Sequence, residues 1–239
     1  MYEHIKIKIS INMRKANYDK FPSTKLAGML VQSWDAIISV LKKQMGARKV
    51  LAVDLYTGVY EEEVLDAFSK EFSGKMVNVR DLMKSEQEIQ TLTKRFMTED
   101  VLFGYVTNLK LEDYFDVDKL ATAQKQINEA EETVVIIGTG AAMVAPRNAM
   151  IVYVDMARWE IQQRFRRHEV KALGVDNRND AVSLQYKRGY FNDWRVCDRY
   201  KDGLFDRVEF WIDTHVAGMP KMIDKDTFFR GIEARSEEH

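Results

Sequence analysis

The fold is decided by the stretch Lys49-Val-Leu-Ala-Val-Asp-Leu-Tyr-Thr-Gly-Val-Tyr-Glu-Glu-Glu-Val-Leu-Asp-Ala-Phe68. Residues 50–53 form an apolar run without polar alternation, which is typical of a parallel strand that is covered on both faces. Gly58 permits a tight turn, and apolar residues then recur at helical spacing through Val64 and Phe68. The stretch therefore predicts a strand, a turn and a helix. Ligands of open α/β sheets bind at the carboxyl ends of such strands.

The composition excludes several classes of protein. The 239 residues are 46% hydrophobic and 31% charged, as in an ordinary globular protein, and no run approaches the ~20 apolar residues of a membrane span. With 36 basic and 37 acidic residues, no net field favours nucleic acid or a membrane as partner. The amino terminus lacks an apolar signal core, which predicts a cytoplasmic protein. The single Cys197 reads as a structural thiol, and the histidine spacing shows no zinc site.

Further apolar runs alternate with helical patterns along the chain. Strands are predicted at Lys75–Val79, Thr133–Ile137, Met150–Val154 and Val208–Asp213. Helices are predicted at Ser33–Met45, Glu86–Phe96, Val117–Ala130, Arg158–His168, Asp180–Tyr190, Asp193–Leu204 and in the tail after Asp224. This order predicts a three-layer α/β/α fold with a mostly parallel sheet. Residues 1–46, which begin with isoleucines alternating at period two from Ile5 to Ile11, are predicted to be an arm and helix, and residues 47–239 the α/β domain.

The turn after the first buried strand is the first candidate site. Tyr56, Thr57 and the amides around Gly58 could hold a phosphate where a helix begins. Three glutamates, residues 61–63, already place negative charge there, and a phosphate-binding loop with a lysine is absent. A plain strand-to-helix connection is the alternative. The second candidate is Gly138-Thr139-Gly140, whose small residues allow close approach of a ligand or simply form a turn.

Arginine-rich segments are the remaining candidates. A basic helix carries Arg158, Arg164, Arg166, Arg167, His168 and Lys171. Arginine forks match phosphate oxygens, although the same composition describes a solvated helix face with salt bridges. In Tyr186-Lys-Arg-Gly-Tyr-Phe-Asn-Asp-Trp-Arg195, aromatic and arginine side chains could stack a base or sugar, or could be core aromatics with snorkelling arginines.

Seven segments are considered together. They are Ala16-Asn-Tyr-Asp-Lys-Phe-Pro22, Trp34-Asp-Ala-Ile37, Val50 to Val59, Val134 to Ala142, Val152-Tyr-Val-Asp155, Ile161-Gln-Gln-Arg164-Phe-Arg166 and Tyr190-Phe-Asn-Asp-Trp194. As a set they resemble a known family, the class I mannose-6-phosphate isomerase-like proteins, in the region that precedes their cupin barrel. The resemblance covers roughly residues 16 to 235.

The resemblance implies a degenerate P-loop kinase of the uridine-kinase type that lacks the Walker A motif. It implies that Asp155 ends a kinase-like strand and that Arg164, Arg166 and Arg167 lie on an arginine-bearing lid. Isomerisation in the family belongs to the zinc-binding cupin part, which has no counterpart in this sequence. The implied partner is therefore an isomerase domain, in cis or in trans.

Four functional hypotheses follow. The first is a non-catalytic or regulatory domain that binds a nucleotide or sugar phosphate through Asp54, Tyr56, Thr57, Gly58, Gly138, Thr139, Gly140, Asp155, Arg164, Arg166, Arg167 and Arg195. The second is an active phosphotransferase, with Asp54 or Asp155 on Mg²⁺ and arginines in place of the lysine. The third is mannose-6-phosphate isomerase activity in this chain itself. The fourth is a structural domain that associates with itself or with another chain.

Overall fold

A computed structural model describes residue 25 and residues 27–236 of the chain. Within them, seven strands form one sheet: β1 (Val31–Gln32), β2 (Val50–Leu55), β3 (Lys75–Asn78), β4 (Val134–Gly138), β5 (Met150–Asp155), β6 (Phe210–Asp213) and β7 (Lys221–Asp224). The predicted arm, with its alternating isoleucines from Ile5 to Ile11, lies outside the described residues. No helix in the described part of the chain is both long and apolar enough to cross a membrane.

The sheet confirms the predicted fold class. Its strand order is β1-β7-β6-β5-β2-β4-β3, and the five strands from β6 to β3 are parallel. All six residues of β2 are buried, as its unbroken apolar run predicts. The connection that leaves β2 leads to one edge of the sheet, and the connection that leaves β5 leads toward the other. The carboxyl end of β2 is therefore a topological switch point, where α/β proteins bind ligands.

Helices complete a three-layer α/β fold. They are α1 (Trp34–Met45), α2 (Glu61–Glu71), α3 (Glu86–Met97), α4 (Val117–Asn128), α5 (Ala141–Val144), α6 (Arg158–Arg166), α7 (Val182–Arg188), α8 (Trp194–Asp202) and α9 (Lys225–Ser236). Local sequence explains where two of them begin. Ser85 and Glu88 form a capping box before α3, and the Asp116 side chain accepts hydrogen bonds from the first amides of α4.

The first helix belongs to the same core as the sheet. Ile37, Ile38 and Leu41 of α1 are fully buried and join the hydrophobic cluster that contains β2, β4 and β5. Gly46 ends the helix at a φ of 56°, where an L side chain would be strained. The predicted helix at residues 33–45 is confirmed.

Two structural features differ from the sequence prediction. The antiparallel strands β1 and β7, which extend the sheet beyond β6, were not predicted, because β1 has only two residues and β7 has charged residues at both ends. The two predicted helices near residues 180 and 193 are joined without a break, because a π-helical segment (Gly189–Asp193) connects α7 to α8. A Cβ atom at Gly189 would lie 2.7 Å from the Trp194 ring, so glycine permits this close packing.

Candidate functional site

The turn between β2 and α2 is a rigid part of the core. The Tyr56 amide donates to the Val154 carbonyl of β5, which extends the sheet beyond β2. Gly58 has a φ of +98°, and a Cβ atom there would lie 2.9 Å from an Ile161 methyl group. Only glycine satisfies both conditions without strain. The predicted turn is therefore present, held between β5 and α6.

Asp54, at the carboxyl end of β2, is fully buried and bonded within the chain. Its carboxylate accepts hydrogen bonds from the Gly140 amide at 3.1 Å, the Ala142 amide at 2.8 Å and the Tyr200 hydroxyl at 2.6 Å. Burial raises its pKa to about 6, even though these three donors lower it. The amide of Gly140, in the predicted Gly138-Thr139-Gly140 turn, and the amide of Ala142 just after it thus already bind a carboxylate of this protein.

The two glycines of that turn are required by close packing. Gly138 has a φ of +136°, and a Cβ atom there would lie 2.7 Å from the Val79 side chain. Gly140 has a φ of +99°, and its Cβ atom would lie 3.0 Å from the Phe115 ring. Between them, Thr139 is buried beside the small cavity described below. The turn brings the sheet, a 3₁₀ segment and the Phe115 region into contact.

Tyr56 takes part in a second internal network. Its hydroxyl donates to Asp198 at 2.6 Å, and Arg158 donates to both oxygens of the same carboxylate at 2.7 and 3.0 Å. The Arg158 guanidinium also lies 5.0 Å from the Tyr56 ring centre and 4.9 Å from that of Trp194. Burial raises the pKa of Tyr56 well above its ordinary value, so the phenol stays protonated. Sequence reasoning missed Asp198, which has no local signal.

Asp155, at the carboxyl end of β5, is paired with Lys201 of α8. The Lys201 ammonium contacts one carboxylate oxygen, and the Met156 amide donates to the other at 2.8 Å. Burial raises the pKa of Asp155, while Lys201 opposes that rise. The same ammonium lies within 5.8 Å of the ring centres of Tyr56, Tyr153 and Trp211. The predicted magnesium ligand therefore has a cation of its own chain beside it.

The four predicted arginines lie in three different places. Arg164 is fully buried and donates to the Gly58 carbonyl at 3.1 Å, to Glu160 at 3.1 Å and to the Thr214 carbonyl. Its guanidinium also lies 3.9 Å from the Tyr60 ring centre. It therefore fastens the β2–α2 turn to α6 and to the end of β6.

The other three arginines are more exposed. Arg167 pairs with Glu160 and Glu169, both at 2.9 Å. Arg166 lines a separate groove on the far side of α6. Arg195 donates to the Tyr190 carbonyl at 3.1 Å and stacks on its ring. The structure therefore does not bring the predicted arginines together at one point.

An open cleft lies directly beside the Gly58 turn. Its volume is about 110 Å³. It is lined by Gly58, Val59, Tyr60, Glu61, Glu62, Arg80, Glu169, Val170, Lys171 and Arg178. An adjoining cavity of about 10 Å³ shares Glu61, Arg80 and Lys171 with it and reaches Thr57 and Thr139. The cleft thus lies at the switch point, where the turn after β2 was predicted to bind a ligand.

Three cations of this cleft come from separate segments. Arg80 follows β3 and donates to Glu61 at 3.2 Å, and Arg178 pairs with Asp176 at 2.7 Å. Lys171, from the loop after α6, forms no hydrogen bond and no close ion pair with any described residue, although its charge helps to lower the pKa of Asp176. Lys171 was noted in the sequence as part of the basic helix, whereas Arg80 and Arg178 were missed. A basic residue directly after a strand was the available signal for Arg80.

The described residues contain no group of three or more His, Cys, Asp or Glu side chains placed to hold a metal ion. The family model described as Domain of unknown function (DUF8485) matches residues 33–237. Because this match covers most of the 239 residues, the chain belongs to that family. No curated protein matches the chain.

Proposed function

We propose that this protein is a non-catalytic domain that binds the phosphate group of a small metabolite, such as a sugar phosphate or a nucleotide, in the cleft beside Gly58. The observation that carries the proposal is the convergence of Arg80, Lys171 and Arg178 on this cleft at the carboxyl end of β2. Charged donors at a switch point match the oxygens of a phosphate. The Lys171 ammonium donates no hydrogen bond to any described residue, so it can donate one to a phosphate oxygen.

The size of the cleft supports a single phosphate group as the part that is enclosed. A volume of about 110 Å³ exceeds what one water molecule needs but is small beside the usual ~300–1,000 Å³ of pockets that enclose whole ligands. The sugar or nucleoside part of the ligand would then extend toward solvent. Affinity would be modest, because Glu61, Glu62 and Glu169 line the same cleft and balance much of its positive charge.

The acidic residues support a non-catalytic role. Phosphoryl transfer requires groups that hold Mg²⁺ and position the phosphates. Asp54 is bonded to two amides and a tyrosine, and Asp155 is paired with Lys201. Asp54 would have to leave a buried, bonded arrangement before it could bind a metal ion, at a cost of several kcal/mol, and the half-buried Asp155 would have to give up its ion pair. We therefore propose that both carboxylates have a structural role.

Thermal unfolding in the presence of ligands tests the proposal. Inorganic phosphate, mannose 6-phosphate, fructose 6-phosphate and ATP with Mg²⁺ would each be compared at constant ionic strength. A ligand at ~100 times its dissociation constant stabilises the folded state by ~2.7 kcal/mol. The shift is expected to disappear in Lys171→Gln and to remain in Lys70→Gln, which changes an exposed lysine of α2 outside the cleft. Absence of a shift with every ligand would contradict the proposal.

A second variant sharpens the test. Glu62 lines the cleft and has no ion pair among the described residues, so its charge opposes an incoming anion. The variant Glu62→Gln is therefore expected to bind phosphate more tightly than the wild type, because it removes a negative charge that repels the anion and attracts Arg178. Weaker binding by this variant would place the ligand elsewhere.

Turnover assays distinguish this proposal from the two enzymatic alternatives. A phosphotransferase would hydrolyse or transfer the terminal phosphate of ATP, and an isomerase would interconvert mannose 6-phosphate and fructose 6-phosphate. We expect neither activity in the purified chain, with or without added Mg²⁺ or Zn²⁺. Turnover that persists through purification and is lost in Asp155→Asn would favour the phosphotransferase.

A further inference from the structure

One loop of this protein exposes an unusual run of apolar side chains. The loop lies between α3 and the 3₁₀ segment Leu111–Tyr114. Five of its side chains are each 56–70% exposed: Val101, Leu102, Phe103, Tyr105 and Val106. Single exposed apolar residues are normal on protein surfaces, but contiguous ones mark contact sites. At ~150–250 Å² for a full aromatic residue, these five residues expose on the order of 500 Å². That area is near the upper end for a patch on a monomer.

The loop is adjacent to an apolar groove. Leu102 forms one wall of a groove of about 390 Å³, and the other walls come from α6, α7 and α8. The groove is lined by Leu102, Gln162, Phe165, Arg166, Val182, Ser183, Tyr186 and Trp194. The Tyr186 ring meets Trp194 edge-on at 5.4 Å and stacks with Tyr190 at 6.1 Å. The aromatic side chains that line the groove therefore hold their positions by packing against one another.

The loop is held in place by its own hydrogen bonds. One Asp100 oxygen accepts from the Leu102 and Phe103 amides, both at 2.7 Å. Lys187 of α7 donates to the Thr98 carbonyl at 3.3 Å and to the Asp100 carbonyl. The apolar side chains are therefore presented on a fixed backbone, which lowers the entropy cost of binding.

The loop and the groove also carry opposite charges. Glu99 precedes the apolar run and is exposed, and Arg166 stands exposed at the groove. Neither side chain forms an ion pair within the part of the chain that the structure describes. The loop is thus apolar and acidic, while the groove is apolar and basic.

We propose that this face joins two copies of the chain, with residues 98–106 of each copy lying in the groove of the other. A surface that carries a projection and its complementary groove side by side is self-complementary, which is the condition for a two-fold interface. Because Leu102 belongs to both parts, the two-fold axis passes beside it. In this arrangement Phe103 enters the groove of the other copy, and Glu99 meets its Arg166.

Sedimentation velocity over a range of micromolar concentrations tests the interface. The wild type is expected to be a reversible dimer, and Phe103→Ser is expected to be a monomer. The matched control Val117→Ser changes another exposed apolar residue, at the start of α4, and is expected to stay dimeric. A monomeric wild type at these concentrations overturns the proposal. So does a dimer that Phe103→Ser leaves intact.

A charge exchange distinguishes this interface from one with an unrelated partner. Arg166→Glu alone is expected to raise the dimer dissociation constant by about tenfold. In this variant, the glutamate at position 166 of each copy faces Glu99 of the other, and the two negative charges repel each other. The double variant Arg166→Glu with Glu99→Lys is expected to restore dimerisation. Failure of the double variant to recover affinity overturns the pairing of loop and groove. The result is independent of phosphate binding, because neither residue lines the cleft beside Gly58.

Discussion

Two regions of the molecule differ in whether their polar and charged side chains have partners within the chain. One is at the carboxyl ends of β2 and β5, and the other is the surface that residues 98–106 form with the adjacent groove. At the strand ends, Asp54, Asp155 and Arg164 are each bonded to groups of the same chain. At the other surface, residues 101–103, 105 and 106 are mostly exposed, and Glu99 and Arg166 form no ion pair within the described residues. Acids at the ends of strands can therefore be engaged within the chain, whereas the second surface leaves side chains available for another molecule.

The largest expected effect is at the buried arginine. Replacing Arg164 by Met removes the donor to the Gly58 and Thr214 carbonyls and leaves both buried without it. We expect a loss of about 3–5 kcal/mol of unfolding free energy in urea titrations. The control Arg167→Met changes a half-exposed arginine of the same segment and is expected to cost less than about 1 kcal/mol. Equal effects of the two variants would show that the hydrogen bonds of Arg164 to the β2–α2 turn and to Thr214 do not stabilise the fold more than a surface ion pair does.

The next effect is a pH dependence that originates at Asp54. Its pKa is raised from 3.8 to about 6 in the folded state, so the folded protein binds the proton more tightly than the unfolded chain. This contribution to stability is complete below the unfolded pKa and is lost as pH rises through about 6, for a total of up to about 3 kcal/mol.

Urea unfolding at several pH values measures this effect. The variant Asp54→Asn cannot titrate, so the wild type's stability relative to the variant should decrease as pH rises from about 4 to about 7. A stability difference that does not change with pH would show that Asp54 is not held in this buried arrangement.

A smaller effect is expected at Tyr56. The variant Tyr56→Phe removes the hydrogen bond to Asp198 and leaves Arg158 as the partner of that carboxylate. Unfolding free energy should fall by about 1 kcal/mol, and phosphate binding should stay unchanged, because Tyr56 does not line the cleft. The variant Lys70→Gln, which changes an exposed side chain outside both the cleft and the loop of residues 98–106, serves as the control, with no measurable change in stability. Loss of phosphate binding in Tyr56→Phe would show that the Tyr56 hydroxyl takes part in the binding site.

The smallest effect on stability is expected at the exposed loop. Leu102→Ser should change the unfolding free energy of the monomer by no more than about 0.5 kcal/mol, because the side chain is mostly exposed. The same variant should weaken dimerisation. A large loss of monomer stability would show that the loop belongs to the core, and the contrast between the two regions would then fail.

The fold could be predicted because its strongest signals are local. The apolar runs of β2, β4 and β5 read directly as buried parallel strands. The antiparallel strands β1 and β7 could not be predicted, since β1 has two residues and β7 has Lys221 and Asp224 at its ends. Their pairing depends on tertiary contacts.

The candidate site was predicted only in position. The turn at Gly58 lies where the alternation of strands and helices predicts a switch point, and the cleft is there. The internal partners could not be foreseen, because Tyr200 lies 146 residues from Asp54 and Lys201 lies 46 residues from Asp155. Sequence reasoning identifies acids at strand ends, but it cannot tell whether a distant side chain already bonds to them.

Calorimetric titration of the wild type with mannose 6-phosphate, inorganic phosphate and mannose shows which part of the ligand the cleft recognises. If a phosphate group in the cleft beside Gly58 is the recognised part, the two phosphates bind with similar affinity and mannose does not bind. Both binding signals then vanish in Lys171→Gln. Binding of mannose with the affinity of its phosphate, or unchanged phosphate binding by Lys171→Gln, would contradict the account.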